Sequence, residues 1–499
     1  MITAILFSIG ALGTIYYLIG LYNELYWKKR GVKFYAKNRV FGPAGVFMMS
    51  NRPMFDIFDE IYNMYPEEPA IGVGSLVTPA LFVKDPSNVQ HVLQLDFNSF
   101  NHRGFDINEG DNLADNILFM NGNRWKLMRQ SMTPLFSSSK IKNMFYIMDR
   151  SAQDFVAYLN ERPEKLKDNV FNTLSTFCCA AISAAVFGIG TESIFDSPFL
   201  DMAHDAMKST FKSNLNFAIA SLNSTLFKFL KIKLFKDHEK FFVTAVKQII
   251  NQRSVENVKK HDFGDICMTL KNNGAMIDKD TGTEIQPTDE LLAAQAFFFF
   301  VAGVEPSATA MYSLLVELGR NPEVLEKVHE EIDSTFQKHN NKITYDNLSG
   351  LEYLDMAYNE SMRMYPPIGF LTRGCVRDTV LPVGNIKVNA GTRIFTPIFA
   401  IHHDSKFFPE PEVFKPERFS PENRSRISDF YMPFGKGGRL CIGNRFATLQ
   451  VKAGLVHLLR HFTVKTHIHE GGIKYSKQQM QVRASNLTIE LIPRNIMQK

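Results

Sequence analysis

The residues best placed for chemistry lie in Phe434 to Gly443, which reads FGKGGRLCIG and sets Cys441 in a glycine-rich loop. Behind it, Ile442 to Leu459 has the apolar spacing of a helix. A cysteine just before a helix start receives hydrogen bonds from unpaired backbone N–H groups and feels the positive end of the helix dipole, which stabilises its thiolate. The glycines let the backbone approach a flat ligand, and Phe434 is placed to cover the sulfur and keep water from it. The other cysteines, Cys178, Cys179, Cys267 and Cys375, show no C-x-x-C spacing and are too sparse for a disulfide framework. They fit a reducing compartment, with Cys178 and Cys179 as small buried apolar residues. Glu360 and Arg363 stand at i and i+3 on one helix face, where the plain reading is a surface ion pair.

Phe434, Gly437, Arg439, Cys441 and Gly443 fit the pattern F-x-x-G-x-R-x-C-x-G, and the stretch resembles the haem-binding loop of the cytochrome P450 family. Further marks of that family follow in order. Glu360 and Arg363 match its E-x-x-R helix motif, and Pro416 to Phe419 match its P-E-R-F segment. The resemblance therefore implies a buried ionic triad of Glu360, Arg363 and Arg418 near the haem, with a structural role. Trp125 and Arg129 match the W-x-x-x-R mark of the helix that reaches a haem propionate, and Arg373 falls where the family places another propionate arginine. Arg439 completes the set. Haem b (iron protoporphyrin IX) carries two carboxylates whose charge must be met on burial, and arginine offers forked donors that suit them. By resemblance, then, Cys441 ligates the iron, and Trp125, Arg129, Arg373, Phe434 and Arg439 surround the cofactor. The motifs are most similar to those of animal microsomal members, insect detoxification-type enzymes in particular.

The distal side departs from the family. Its central helix normally carries [A/G]-G-x-[D/E]-T-[T/S]; this chain has Ala302, Gly303, Val304, Glu305, Pro306 and Ser307. Glu305 keeps the acid of the proton relay, but Pro306 cannot supply the hydroxyl that assists proton delivery. Ser307 is a candidate substitute, although one residue turns a helix by about 100° and should aim it elsewhere. Proline also frees the carbonyl of Ala302 and favours a kink with room for an ordered water. Two reactions remain open. One is oxygenation with water-assisted proton delivery; the other is a dehydration or rearrangement, for example of an oxime.

These residues must be positioned by a mostly helical body. Val170 to Phe187, Asp289 to Arg320 and Leu351 to Tyr365 have helical spacing, while strand-like alternation is confined to Ala80 to Lys84, Val380 to Val388 and Leu487 to Ile492. The fold class expected is mainly α with minor β, a cytochrome P450-like haem-binding fold. Phe297 to Phe300 precede the distal site, some facing substrate and others the core. Further pocket walls implied by resemblance are Phe105 to Asn116, Pro367 to Leu371 and Ala484 to Asn486. An apolar pocket suits a lipophilic small molecule.

At the N-terminus, Ile2 to Asn23 carries no charged side chain, enough for the ~20 residues of a bilayer-crossing helix. Trp27, Lys28, Lys29 and Arg30 follow, which places the downstream chain in the cytosol. Neither the basic start nor the cleavage site of a signal peptide is present. The division expected is an anchor over residues 1–27, a basic linker and hinge over 28–45 around Gly42, Pro43 and Gly45, and one catalytic haem domain over 46–499, on the endoplasmic reticulum membrane. Leu226 to Lys236, LFKFLKIKLFK, reads either as a membrane-surface element or as the lysine-bearing face of a solvated helix. A net charge of +5, evenly spread over 499 residues, argues against nucleic-acid binding. No Walker loop or convincing G-x-G-x-x-G is present. The resemblance accordingly implies a monooxygenase fed from NADPH by a separate NADPH-cytochrome P450 reductase, with cytochrome b5 as a further candidate donor.

Overall fold

The computed structural model describes residues 2–188, 195, 201–202, 205, 210–256, 262–478 and 480–495. Its helices greatly outnumber its short strands, as the periodicities predict. Those used below are α1 (Ile2–Lys28), α2 (Gly42–Met49), α3 (Gly122–Met132), α4 (Ser138–Glu161), α5 (Val170–Phe187), α6 (Phe211–Leu222), α7 (Ser224–Phe229), α8 (Lys236–Glu256), α9 (Asp289–Arg320), α10 (Glu352–Met364) and α11 (Asn444–His461).

Three described helices are long and apolar enough to cross a bilayer, but α5 and α9 are largely buried inside the body. Only α1 displays its apolar side chains, with Ile2, Phe7 and Leu12 exposed. Its last turns dock on the body. Asn23 is buried, and its Nδ2 donates to the carbonyls of Arg39 at 3.0 Å and Leu76 at 2.7 Å. Trp27, 1% exposed, lies against Gly72, where any side chain would collide with the indole. The stretch around Gly42 to Gly45 opens α2, which has Pro43 in its first turn, a position where the missing N–H costs nothing.

Small sheets flank the helices. Strands β1 (Ala70–Val73), β2 (Ala80–Val83), β3 (Phe370–Gly374) and β4 (Arg393–Pro397) form one in the order β1-β2-β4-β3. In it β4 runs parallel to β2 and antiparallel to β3, with Arg373 opposite Ile394 and Gly374 opposite Arg393. Strands β5 (Phe462–Ile468) and β6 (Leu487–Pro493) pair antiparallel. The expected strand over Val380 to Val388 is a hairpin, Thr379–Leu381 against Ile386–Val388, since Gly384 (φ +81°) and Asn385 (φ +48°) turn the chain between them.

The core centres on α9. Thr288 caps its start by accepting from the Leu291 N–H at 3.2 Å, and Asp289 and Glu290 stand in its first turn, where acidic side chains favour the dipole. It packs most extensively on α5, which is buried along almost its whole length and includes Cys178 and Cys179. Helix α10 is capped by another helix's side chain: the Glu331 carboxylate accepts from the N–H groups of Tyr353 at 2.8 Å and Leu354 at 2.9 Å. The LFKFLKIKLFK segment spans α7, a turn and the first residue of α8, leaving Phe229 81% exposed. It adjoins the base of the anchor. Ser75 donates to the Leu222 carbonyl at 3.0 Å, Asn223 donates to Thr78, and Leu76 between them receives Asn23 of α1.

Candidate haem site

Cys441 sits two residues before the Gly443 cap of α11 in a loop closed by its own N–H, which donates to the Phe434 carbonyl at 3.0 Å. The loop depends on Gly437, whose φ is +68° and where a Cβ would strike the Leu93 carbonyl. Cys441 keeps accessible surface, yet protein surrounds it closely enough that burial pushes its thiol pKa up. The Gly443 N–H and the charges of Arg129 and Arg103 pull the other way, favouring the thiolate. Phe434 packs beside it against the main core.

Around this cysteine the structure gathers four arginines. Arg129, on α3, donates to the Leu440 carbonyl at 2.8 Å. Arg439 donates to the carbonyls of Asn101 and Met120, both at 2.9 Å, and its guanidinium lies 4.1 Å from the centre of the Trp125 ring. Arg373, on β3, is 1% exposed, and Arg103 comes from the loop before α3. Nε of Arg103, Nε and Nη2 of Arg373 and Nη1 of Arg439 are buried without a hydrogen-bond partner. Burial, with neighbouring arginines adding to it, pushes the pKa of Arg103 down to about 10 and that of Arg439 down to about 8. Burial also holds Arg373 well below its ordinary value, with Arg103 adding to the effect. No carboxylate is among the charges acting on these three groups. A buried cluster of positive charges with free donors is costly unless an anion meets it. The two propionates of haem are such an anion, with the thiol of Cys441 close by, so the residues present fit the cofactor. Trp125, Arg129, Arg373, Phe434, Arg439 and Cys441 are thus brought together; Arg103 belongs with them, but no motif marks it.

Behind the loop lies the ionic triad. Glu360 and Arg363 are both fully buried, so the surface-pair reading gives way to a buried network. Glu360 accepts from Arg363 Nε at 2.8 Å and Nη2 at 2.9 Å, from Arg418 Nε at 3.1 Å and from the Lys415 N–H at 3.0 Å. Arg363 also donates to the His402 carbonyl at 2.8 Å, and His402 Nε2 accepts from the Met432 N–H at 3.0 Å. This chain of bonds runs from α10 to two residues short of Phe434. Burial holds the His402 pKa well below its usual value, so the ring is neutral, as an acceptor at Nε2 requires.

On the distal side, Phe298, Ala302 and Pro306 are part-accessible at i, i+4 and i+8 and form a stripe along α9, with Val301 and Gly303 part-accessible beside it. The other phenylalanines are core: Phe297 packs on Phe235 and Phe242, Phe299 on Phe136 and Phe263, and Phe300 on Phe187. Glu305 lies off the stripe. Its Oε2 accepts from Arg483 Nη2 at 2.6 Å, and that guanidinium lies 3.6 Å from the centre of the Phe171 ring. Ser307 is turned away as well, 3% exposed with its hydroxyl unpartnered. Helix α9 continues through Pro306, and Gln450 of α11 donates to the neighbouring Gly303 carbonyl at 3.2 Å and the Cys178 carbonyl at 3.3 Å. Of the pocket walls expected by resemblance, Phe105 and Phe370 line one cavity with Phe217, Leu222, Phe395 and Met480. Asn486 instead closes a turn, donating to the carbonyls of Glu470 and Gly472.

A mainly helical body, a cysteine loop ahead of a helix and a buried arginine cluster awaiting an anion together define a haem-binding oxidoreductase. The family model described as cytochrome P450 matches residues 38–491, and the chain belongs to that family of haem monooxygenases. Cytochrome P450 6B4 of Papilio glaucus is 32% identical to it over 99% of each chain. Cytochrome P450 6B5 of the same species is 34% identical over 93% of this chain and 96% of the relative. Cytochrome P450 6j1 of Blattella germanica is 34% identical over 88% and 87% respectively.

Proposed function

We propose that the chain is a membrane-anchored monooxygenase of lipophilic small molecules in which Cys441 ligates the haem iron. The observation that carries this reading is the Cys441 loop beside Arg103, Arg373 and Arg439, whose buried guanidinium nitrogens lack partners and which no carboxylate offsets. Bound haem supplies reductive activation of O2 and insertion of one oxygen atom into substrate. The rest falls to the chain's own residues. Arg103, Arg129, Arg373 and Arg439 hold the propionates, Trp125 supports the Arg439 guanidinium, and Phe434 keeps water from the sulfur. Phe298 and Ala302 present an apolar wall to substrate. Arg483 occupies Oε2 of Glu305, leaving Oε1 as the atom at which that carboxyl exchanges a proton. Pro306 puts a ring where a hydroxyl would stand, so water carries the last proton transfer.

Electrons come from NADPH through NADPH-cytochrome P450 reductase, with cytochrome b5 as a second donor. Helix α1 spans the endoplasmic reticulum membrane with the body in the cytosol, supported by its exposed apolar length and the basic residues that follow. Met49, Phe211 and Phe229, exposed at 85%, 73% and 81%, belong to elements joined to the anchor's base, which favours a membrane-facing surface over a solvated one for the LFKFLKIKLFK segment.

Pro306 on the accessible stripe supports a second reading, a dehydratase or rearrangement enzyme acting for example on oximes. An 18O2 experiment separates the two: monooxygenation puts label from O2 into product, and the alternative puts none. Under monooxygenation, Pro306→Thr restores both the N–H and a hydroxyl on the stripe. The share of NADPH recovered as product should then rise, on the order of tenfold, within the 10²–10⁴ that a positioned proton donor contributes.

A further inference from the structure

Pro306 costs α9 a hydrogen bond at the turn over the distal site. It has no N–H to give the Ala302 carbonyl four residues back, and its ring presses on that carbonyl. A helix with no other support bends or opens at such a point. Helix α9 nevertheless runs unbroken from Asp289 to Arg320.

Support reaches this turn from outside the helix. Gln450, 0% exposed on α11, donates through Nε2 to the Gly303 carbonyl at 3.2 Å and to the Cys178 carbonyl of α5 at 3.3 Å. Gly303 follows Ala302, so the added bond falls on the carbonyl next to the one that Pro306 leaves without its helical donor. Both partners are carbonyls, which fixes the orientation of the amide, since only its NH2 end can face them. The same placement leaves Oε1 of Gln450 buried without a partner. Glycines bring the three helices close enough for one side chain to span them: a Cβ on Gly303 would come within 2.8 Å of Ile182 of α5, and one on Gly454 of α11 would strike Phe177 of α5 and Met311 of α9. Helix α11 opens just after Cys441, so the element that starts at the cysteine loop also carries the amide that holds α9.

We propose that Gln450 is a positioning residue for the distal site, bracing α9 at the turn that Pro306 weakens and so fixing the gap between that turn and the Cys441 loop. The proposal rests on the reading of water as the carrier of the last proton, because the space such a water takes is set by how far the Ala302–Pro306 turn opens.

Hydrogen exchange of the purified holoenzyme, followed by mass spectrometry, reads the brace without turnover. Gln450→Met keeps the length of the side chain and removes its donors; it should speed exchange of the α9 amides between Val301 and Ala310 about tenfold, equivalent to ~1.4 kcal/mol. Pro306→Ala restores the N–H without adding a hydroxyl, and in that background Gln450→Met should change the same amides by about twofold or less, the signature of two coupled positions. Product formed per NADPH should follow the same pattern, falling in Gln450→Met and barely moving when the substitution is made in Pro306→Ala. The carbon monoxide spectrum of each variant reports on the haem site, and if Gln450→Met does not hold haem, Pro306→Ala must restore loading. Equal acceleration in both backgrounds overturns the proposal, since Gln450 would then be a packing residue indifferent to Pro306. So does unchanged exchange of α9 in Gln450→Met, faster exchange with product per NADPH unaltered, or haem loading that Pro306→Ala does not rescue. Failure of the monooxygenase reading shows separately, as product without label from 18O2.

Discussion

Glu360→Ala should abolish recovery of haem-loaded protein. Glu360 is fully buried and accepts four hydrogen bonds, two from Arg363, one from Arg418 and one from the Lys415 N–H. Its removal strands Arg363 as a buried cation with no carboxylate, and breaking such a pair costs roughly 3–5 kcal/mol. That is a large part of the 5–15 kcal/mol by which a typical protein is stable. The damage is also aimed at the site, because Arg363 holds the His402 carbonyl and His402 holds the Met432 N–H ahead of the cysteine loop. Arg363→Lys should recover only a fraction, since an ammonium cannot fork to both Glu360 oxygens and still reach the carbonyls of His402 and Pro411. Haem content per chain after purification is the measurement. Full occupancy in Glu360→Ala would show that the triad does not support the loop.

The second large effect concerns Arg103 and Arg373. With both replaced by leucine, the haem-free protein should gain stability while the loaded protein loses its grip on haem. In the absence of an anion these are buried cations with free donors, and apolar replacements remove that cost. With haem bound, each gives up a charge-assisted hydrogen bond worth ~1.5–3 kcal/mol. The two together weaken haem retention by at least ~100-fold, at about 1.4 kcal/mol per factor of ten. Transfer of haem to excess apomyoglobin measures the loss, and thermal unfolding of the haem-free form measures the gain. Opposite signs in the two assays distinguish an anion site from a structural cluster, whose loss would destabilise both forms.

Much of this layout is legible in the sequence because it depends on local rules. The Cys441 loop is written in adjacent residues, and the buried triad in two short motifs. The long helices show in their apolar spacing, and α5 and α9 match Val170 to Phe187 and Asp289 to Arg320. What could not be read are contacts made by topology. Arg103 is a loop arginine without a motif, and it joins the cluster only because β3 is folded against that loop, where Thr372 donates to the Arg103 carbonyl. The Arg483 partnership with Glu305 spans 178 residues and that of Gln450 with Gly303 spans 147, beyond any local pattern. Helical geometry did anticipate that Ser307 would point away from Pro306, but that Glu305 is bound to an arginine depends on where the Gln481–Ser485 segment comes to rest. The Gly42 to Gly45 stretch has the composition of a hinge; it forms helix because Pro43 suits a first turn and Gly42 alone fits against Gly74.

The central claim is that Cys441 supplies a thiolate to the haem iron. Its most direct test is the reduced carbon monoxide difference spectrum of the purified protein beside that of Cys441→Ser. The unaltered protein should give the thiolate-type spectrum and the variant should lose it while keeping its fold by circular dichroism. A thiolate-type spectrum in Cys441→Ser would contradict the claim.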